Sequence, residues 1–217
     1  MKGTLLLILL SVTLAQSQDT WKDVYSESAW KDRDRWQKAA DLIRHLGLSP
    51  GNQVADIGCH EGYMTVKLSS VVGHAGRVFA VDVEQSKLDR MVKRLEERNI
   101  TNVIPTKGEY DNPHLPENTL DAVIILDTYH EMTQHDQMLQ HIKKALKPGG
   151  RLVLCEAIAD SRRKSPRDDQ ERKHEIGIQY ALEDVKKAGF TIVRQQDPFA
   201  DRMKEKGDMM WLLVVKK

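Results

Sequence analysis

The stretch Asp127-Thr128-Tyr129-His130-Glu131-Met132 places an imidazole between carboxylates. Histidine is the side chain whose ordinary pKa lies nearest neutrality, so His130 is the natural group to take a proton from a hydroxyl or thiol. Asp127 and Glu131 stand close enough in sequence to orient that imidazole or balance its charge. The structural alternative is that His130 caps a helix or fills a pocket wall, with Tyr129 shaping the same pocket. A second constellation lies upstream, in Val54-Ala55-Asp56-Ile57-Gly58-Cys59-His60-Glu61-Gly62-Tyr63. An apolar run ends there in an acid and breaks into glycines, which let backbone approach a ligand closely. Asp82 follows about 20 residues later, the distance at which an acid accepts from ribose hydroxyls in nucleotide-binding βαβ units. Val83 adjoins it, and Glu84 is the next acid if the strand ends later.

Positioning these groups requires an α/β framework. Val54 to Ile57 reads as a buried strand, and Met64-Thr65-Val66-Lys67-Leu68 resumes apolar spacing at a helical period. Strand, glycine loop and helix start form a cradle, because the first N–H groups of a helix carry positive partial charge. Arg77 to Val83 is a second strand, and Ser86 to Asn99 a charged amphipathic helix. Asp121 to Leu126 is almost wholly apolar, as expected of a strand buried on both faces, and it runs directly into the His130 stretch. Leu146 to Leu154 passes through Pro148-Gly149-Gly150 into another apolar strand.

The loop lacks the Gly-x-Gly-x-x-Gly of nicotinamide and flavin sites. Its acidic-x-Gly-x-x-x-Gly pattern resembles motif I of the class I S-adenosylmethionine-dependent methyltransferases, with His60 where a middle glycine is common. Asp82 resembles that family's second motif. Gly108-Glu109, the Leu115-Pro116 turn and Leu120-Asp121 reproduce the order of its third, and Leu146-Lys147-Pro148-Gly149-Gly150 its late turn. These four ordered matches imply a Rossmann-like fold with a seven-stranded, mostly parallel sheet and an antiparallel C-terminal hairpin. They imply S-adenosyl-L-methionine as cofactor, bound by Asp56, Gly58, Cys59, His60, Gly62, Tyr63, Asp82, Val83, Glu109, Tyr110 and Asp127. By the same resemblance Glu109 faces the adenine amino group; the structural alternative is a plain surface acid.

Methyl transfer from a sulfonium is an in-line displacement, which mainly requires a positioned nucleophile. His130, with Asp127 and Glu131, is the expected catalytic group, activity should then rise as the imidazole loses its proton, and His60 is a second candidate base. A rival route holds a divalent cation between Asp127 and Glu156, as in the catechol-type O-methyltransferases that this part resembles. The Asp-Asn pair of that subfamily is here Glu156-Ala157, so one expected ligand is missing and no metal is expected.

The 217 residues suit a single domain, and a net charge of +1 speaks against a broad attraction to nucleic acid. The expected partner is a small-molecule methyl acceptor. Cys59 and Cys155 give no disulfide framework and read as buried thiols, too few for an arsenite-type site. Residues 1–15 read as a secretory signal, with Lys2, an apolar run from Leu5 to Leu10, and small residues at Thr13 and Ala15. That run is too short to span a bilayer. The expectation is an extracytoplasmic protein, cytoplasmic if residues 1–15 are an uncleaved or mis-assigned start. Residues 16–217 then form one domain, with 19–47 as an N-terminal cap carrying Trp21, Tyr25, Trp30 and Trp36. Arg35 to Leu46 reads as one amphipathic helix, and Asp197 to Asp208 as a loop able to form a substrate lid. A non-catalytic, extracytoplasmic nucleoside-binding protein of the same fold is the alternative, favoured by the export segment and His60.

Overall fold

A computed structural model describes residues 27–217. Its strands are β1 (Gln53–Ile57), β2 (Arg77–Asp82), β3 (Val103–Lys107), β4 (Leu120–Leu126), β5 (Leu146–Ile158), β6 (Thr191–Arg202) and β7 (Asp208–Lys216). They form one seven-stranded sheet in the order β3-β2-β1-β4-β5-β7-β6. The first five run parallel, and β7 lies antiparallel between β5 and β6. This is the expected mostly parallel sheet with a terminal hairpin.

β4 shows why the sheet is two-sided. Val123 and Ile125 pack into one apolar cluster, while Ala122, Ile124 and Leu126 pack into the other. Alternate side chains point to opposite faces, so an unbroken apolar run is what a strand covered on both faces needs. The strand order reverses between β1 and β4, which opens a crevice beyond their carboxyl ends. The glycine loop after β1 and the His130 turn after β4 therefore meet there.

The helices are α1 (Glu27–Gln37), α2 (Ala39–Leu46), α3 (Tyr63–Val72), α4 (Gln85–Glu97), α5 (His135–Ala145), α6 (Arg167–Glu171) and α7 (Ile178–Lys187). The single helix expected over Arg35 to Leu46 is instead broken at Lys38, whose backbone is left-handed (φ 53°, ψ 45°). The Lys38 ammonium donates to the carbonyl of Phe199 at 2.8 Å, a tertiary tie that local periodicity does not reveal. The lid expected at Asp197 to Asp208 is also corrected. β6 continues to Arg202, and only a tight turn separates it from β7. Residues 1–15, Trp21 and Tyr25 lie outside the described residues. Among the described residues, no helix is long and apolar enough to cross a membrane.

Candidate cofactor and active site

The loop after β1 is held by its backbone. Gly58 and Cys59 both donate to the Val81 carbonyl, at 2.9 and 3.0 Å, which ties the loop to β2. Gly58 and Gly62 have φ of +76° and +90°, the region in which glycine carries no steric cost. His60 is left-handed as well, at φ 49°. A Cβ on Gly58 would lie 2.3 Å from the Thr128 methyl, so the glycine is required by the turn after β4. The Asp56 carboxylate accepts from the Thr65 hydroxyl at 2.6 Å. Burial lifts its pKa to about 6, opposed by that bond and by the Thr65 amide. Asp56 thus caps the first turn of α3 from inside the protein.

Asp82 ends β2 and is 6% exposed. One of its carboxylate oxygens accepts from the His60 amide and the other from the Glu84 amide, each at 2.9 Å. A carboxylate oxygen has two lone pairs, so each retains capacity for a hydroxyl donor. Glu84 is exposed and pairs with Lys87, so it is no substitute for Asp82. The Gly108 amide donates to the Asp82 carbonyl and keeps the loop after β3 beside it. Glu109 and Tyr110 are exposed on that loop, with Glu109 3.4 Å from His114. Cys59 is buried, its thiol pushed well up by desolvation and by the nearby Asp56 and Asp82 carboxylates; Cys155 is also buried and free. Burial, with Lys87 adding to it, lowers the His60 imidazole to about 4 and keeps it neutral.

The side chain of Tyr63 is engaged elsewhere than the loop's open side. Its hydroxyl donates to Asp34 at 2.6 Å, Arg33 lies 4.1 Å over its ring, and Trp30 meets it edge-on at 5.8 Å. Tyr63 anchors α1 across the start of α3, leaving only its backbone to the cradle. Trp30 belongs to the core.

The turn after β4 is organised by Glu156, which is 0% exposed. One oxygen accepts from the amides of Thr128 and Tyr129 at 2.5 and 2.6 Å, and the other lies 2.6 Å from His130 Nδ1. Glu131 stands 3.3 Å from His130 Nε2. Burial disfavours a charged imidazole, but Glu156, Glu131 and Asp127 override it and raise His130 to about 10. A group that takes a proton at neutral pH must first be unprotonated, so this arrangement presents His130 as an imidazolium donor. That reverses the expected pH dependence. In metal-free buffer its NMR signals should show no titration near 6.5. The folded pKa is raised, so the stability His130 contributes is full below about 6.5 and is lost as pH rises through about 10. A titration of His130 near 6.5 would contradict this geometry.

Tyr129 is fully buried, with its hydroxyl donating to Asp184 at 2.8 Å, so it belongs to the core. Asp127 has a left-handed backbone (φ 55°) and accepts from Arg202 Nη1 at 2.6 Å. Burial would raise its pKa, but Arg202 outweighs that and holds it low. Arg202 is in turn clamped by Asp208, at 2.5 and 3.1 Å. Sequence reading missed Arg202, Asp208 and Asp34. The only available signal was the pair of opposite charges bracketing the last turn. Trp36 lies 5.8 Å from the Arg202 guanidinium and helps line a cleft of about 520 Å³ with Asp32, Arg35, Asp201, Lys204 and Glu205. Neither Asp127 nor Glu156 is free for the rival cation route, since Arg202 holds the first and three donors hold the second.

Comparison with known proteins fits this geometry. Residues 54–150 match the family described as "Methyltransferase domain". The ubiquinone/menaquinone biosynthesis C-methyltransferase UbiE of Ectopseudomonas mendocina is 33% identical over 145 residues, covering 66% of this chain and 55% of the relative. The chain spans about half the length of the curated relatives it matches. An S-adenosylmethionine-dependent methyltransferase structure from Aquifex aeolicus superposes with TM-score 0.71 at 22% identity, over 88% of this chain and 98% of that one. Geranyl diphosphate C-methyltransferase from Streptomyces coelicolor, solved with S-adenosyl-L-homocysteine, gives 0.68 at 15%, over 83% and 78%. Residues 54–150 are thus similar to that domain family, and the chain has the fold of these solved S-adenosylmethionine-dependent methyltransferases.

Proposed function

We propose that this protein, with its class I methyltransferase fold and domain, transfers a methyl group from S-adenosylmethionine to a small-molecule acceptor. The observation that carries the reading is Asp82. A nearly buried acid ends β2 beside a glycine loop in left-handed backbone, and each of its oxygens, holding one backbone amide, keeps accepting capacity. Asp82 would hold the ribose hydroxyls, the Gly58–Gly62 backbone the methionine end, and Glu109 and Tyr110 the adenine edge. When bound, the cofactor supplies an electrophilic methyl on a sulfonium. The chain's own work is to orient and shield: α1 covers the cradle through Trp30, Arg33 and Asp34, and Arg202 fixes Asp127. His130, as an imidazolium, would hydrogen-bond an oxygen of an acceptor that enters already as its anion and so orient it, while the bonding pair of the broken carbon–sulfur bond stays on sulfur. The cleft beside Trp36 is the acceptor's entry in this reading. Carbon joins oxygen and sulfur as candidate acceptor atom, since two of the proteins compared above are named C-methyltransferases.

Asp82→Ala should weaken S-adenosylhomocysteine binding by about 1.5–3 kcal/mol, the cost of losing a hydrogen bond to a charged group. Calorimetry on the folded variant reads this directly, and unchanged affinity would remove the ribose assignment. A second reading, binding without transfer, is favoured by the absence of a neutral base at His130; a methyl-acceptor screen that yields no product despite tight binding would support it. Export through residues 1–15 belongs to the same proposal. Fused to a reporter active only outside the cytoplasm, residues 1–18 should give signal, and a full-length chain found only in the cytosol would end that idea.

A further inference from the structure

His174 takes no part in methyl transfer as described, yet it closes a ring of donors around His130. Its Nδ1 lies 2.6 Å from Glu131 Oε1, the same oxygen that stands 3.3 Å from His130 Nε2. The two imidazoles meet edge-on at 5.9 Å between ring centroids. One donor atom from each of the three residues falls within 4.8 Å of the others. We propose that His130 Nε2, a Glu131 carboxylate oxygen and His174 Nδ1 form a mononuclear site for a divalent transition-metal ion of the zinc class.

Donor chemistry selects the ion. Two imidazoles and one carboxylate suit zinc and its neighbours, whereas magnesium and calcium favour oxygen donors throughout. With metal–nitrogen bonds of about 2.0 Å, tetrahedral ligand atoms stand roughly 3.3 Å apart. The His130–Glu131 separation already has that value, His174 has to draw back from its 2.6 Å contact with Glu131, and the donor atoms of the two histidines already stand within 4.8 Å of each other. The decisive feature is the other side of His130. A metal-ligating histidine ordinarily donates its second ring N–H to a carboxylate, which fixes tautomer and ring orientation. Fully buried Glu156 stands 2.6 Å from Nδ1 in that role. The ion would replace the proton on Nε2 and leave Nδ1–H with Glu156. Side-chain exposures of 54% for Glu131 and 73% for His174 leave the fourth position open to water or to an oxygen of a bound molecule. The overlapping group of Asp127, His130 and Glu156 lacks this opening, because both Glu156 oxygens are occupied inside the protein.

The site's existence does not depend on methyl transfer, so its test needs no acceptor. Full-length protein without a polyhistidine tag is titrated with zinc chloride by calorimetry and with cobalt chloride by visible absorption. The expected result is one saturable equivalent, with four-coordinate cobalt bands. Glu131→Ala and His174→Ala should each weaken binding at least about tenfold. His74→Ala, at an exposed histidine on the far side of the β1–α3 unit, should not. Thermal melts confirm that the variants fold, and His174 is exposed enough for alanine to leave the core intact. No saturable binding, wild-type affinity in both site variants, or an equal loss in His74→Ala would overturn the proposal.

Discussion

Glu156→Ala is expected to destabilise the protein by about 3–5 kcal/mol, the scale for removing one partner of a buried charged pair. The substitution takes away the His130 imidazolium's fully buried partner and orphans the amides of Thr128 and Tyr129, all now bonded to one carboxylate. Each unsatisfied buried donor adds to the cost. Glu156→Gln separates the effects. Its amide oxygen can still accept both backbone amides, while its NH₂ faces Nδ1 and demands a neutral imidazole. The Gln variant should therefore keep most of the fold and bring the His130 titration down from about 10 toward the ordinary range. Chemical denaturation gives the stability and NMR the titration. Wild-type stability in Glu156→Ala would show that the carboxylate does not organise this turn.

The second large effect is expected at Gly58. Gly58→Ala puts a Cβ 2.3 Å from Thr128 in backbone at φ +76°. The left-handed backbone costs about 1–2 kcal/mol and overpacking about 1–3 kcal/mol more. The turn carrying Asp127 and His130 must move, so cofactor affinity should fall at least about a hundredfold. Gly58→Ala with Thr128→Gly should recover the packing part and not the backbone part. A double-mutant cycle measures this, because the two residues are in contact. Strict additivity would mean that Gly58 serves the ligand alone, as the glycine motif by itself suggests.

Most of the sheet was legible because its signals are local. The apolar runs of β1, β2 and β4 are followed by polar residues, and the acid expected at the end of the second strand, Asp82, does end β2. The side chains that set the chemistry are fixed by contacts distant in sequence. Tyr63 follows the glycine loop and so reads as a cofactor contact, but Asp34 and Trp30 on α1 claim it. Tyr129 reads as a pocket residue, but Asp184 on α7 draws it into the core. Asp127 and Glu156 end neighbouring strands, which is what raised the rival cation route that the missing ligand at Ala157 already spoke against. Arg202 enters from a hairpin about 75 residues away to take the first. His130 reads as a base because a free imidazole titrates near neutrality. Only the fold brings Glu156 and Glu131 against it, which raises its pKa.

The central claim is that the crevice between β1, β2 and β4 is a cofactor cradle. Calorimetric titration of the purified protein with S-adenosylmethionine and S-adenosylhomocysteine tests it most directly. Saturable 1:1 binding of both, weakened in Asp82→Ala, is the predicted result; a folded protein that binds neither would contradict the account.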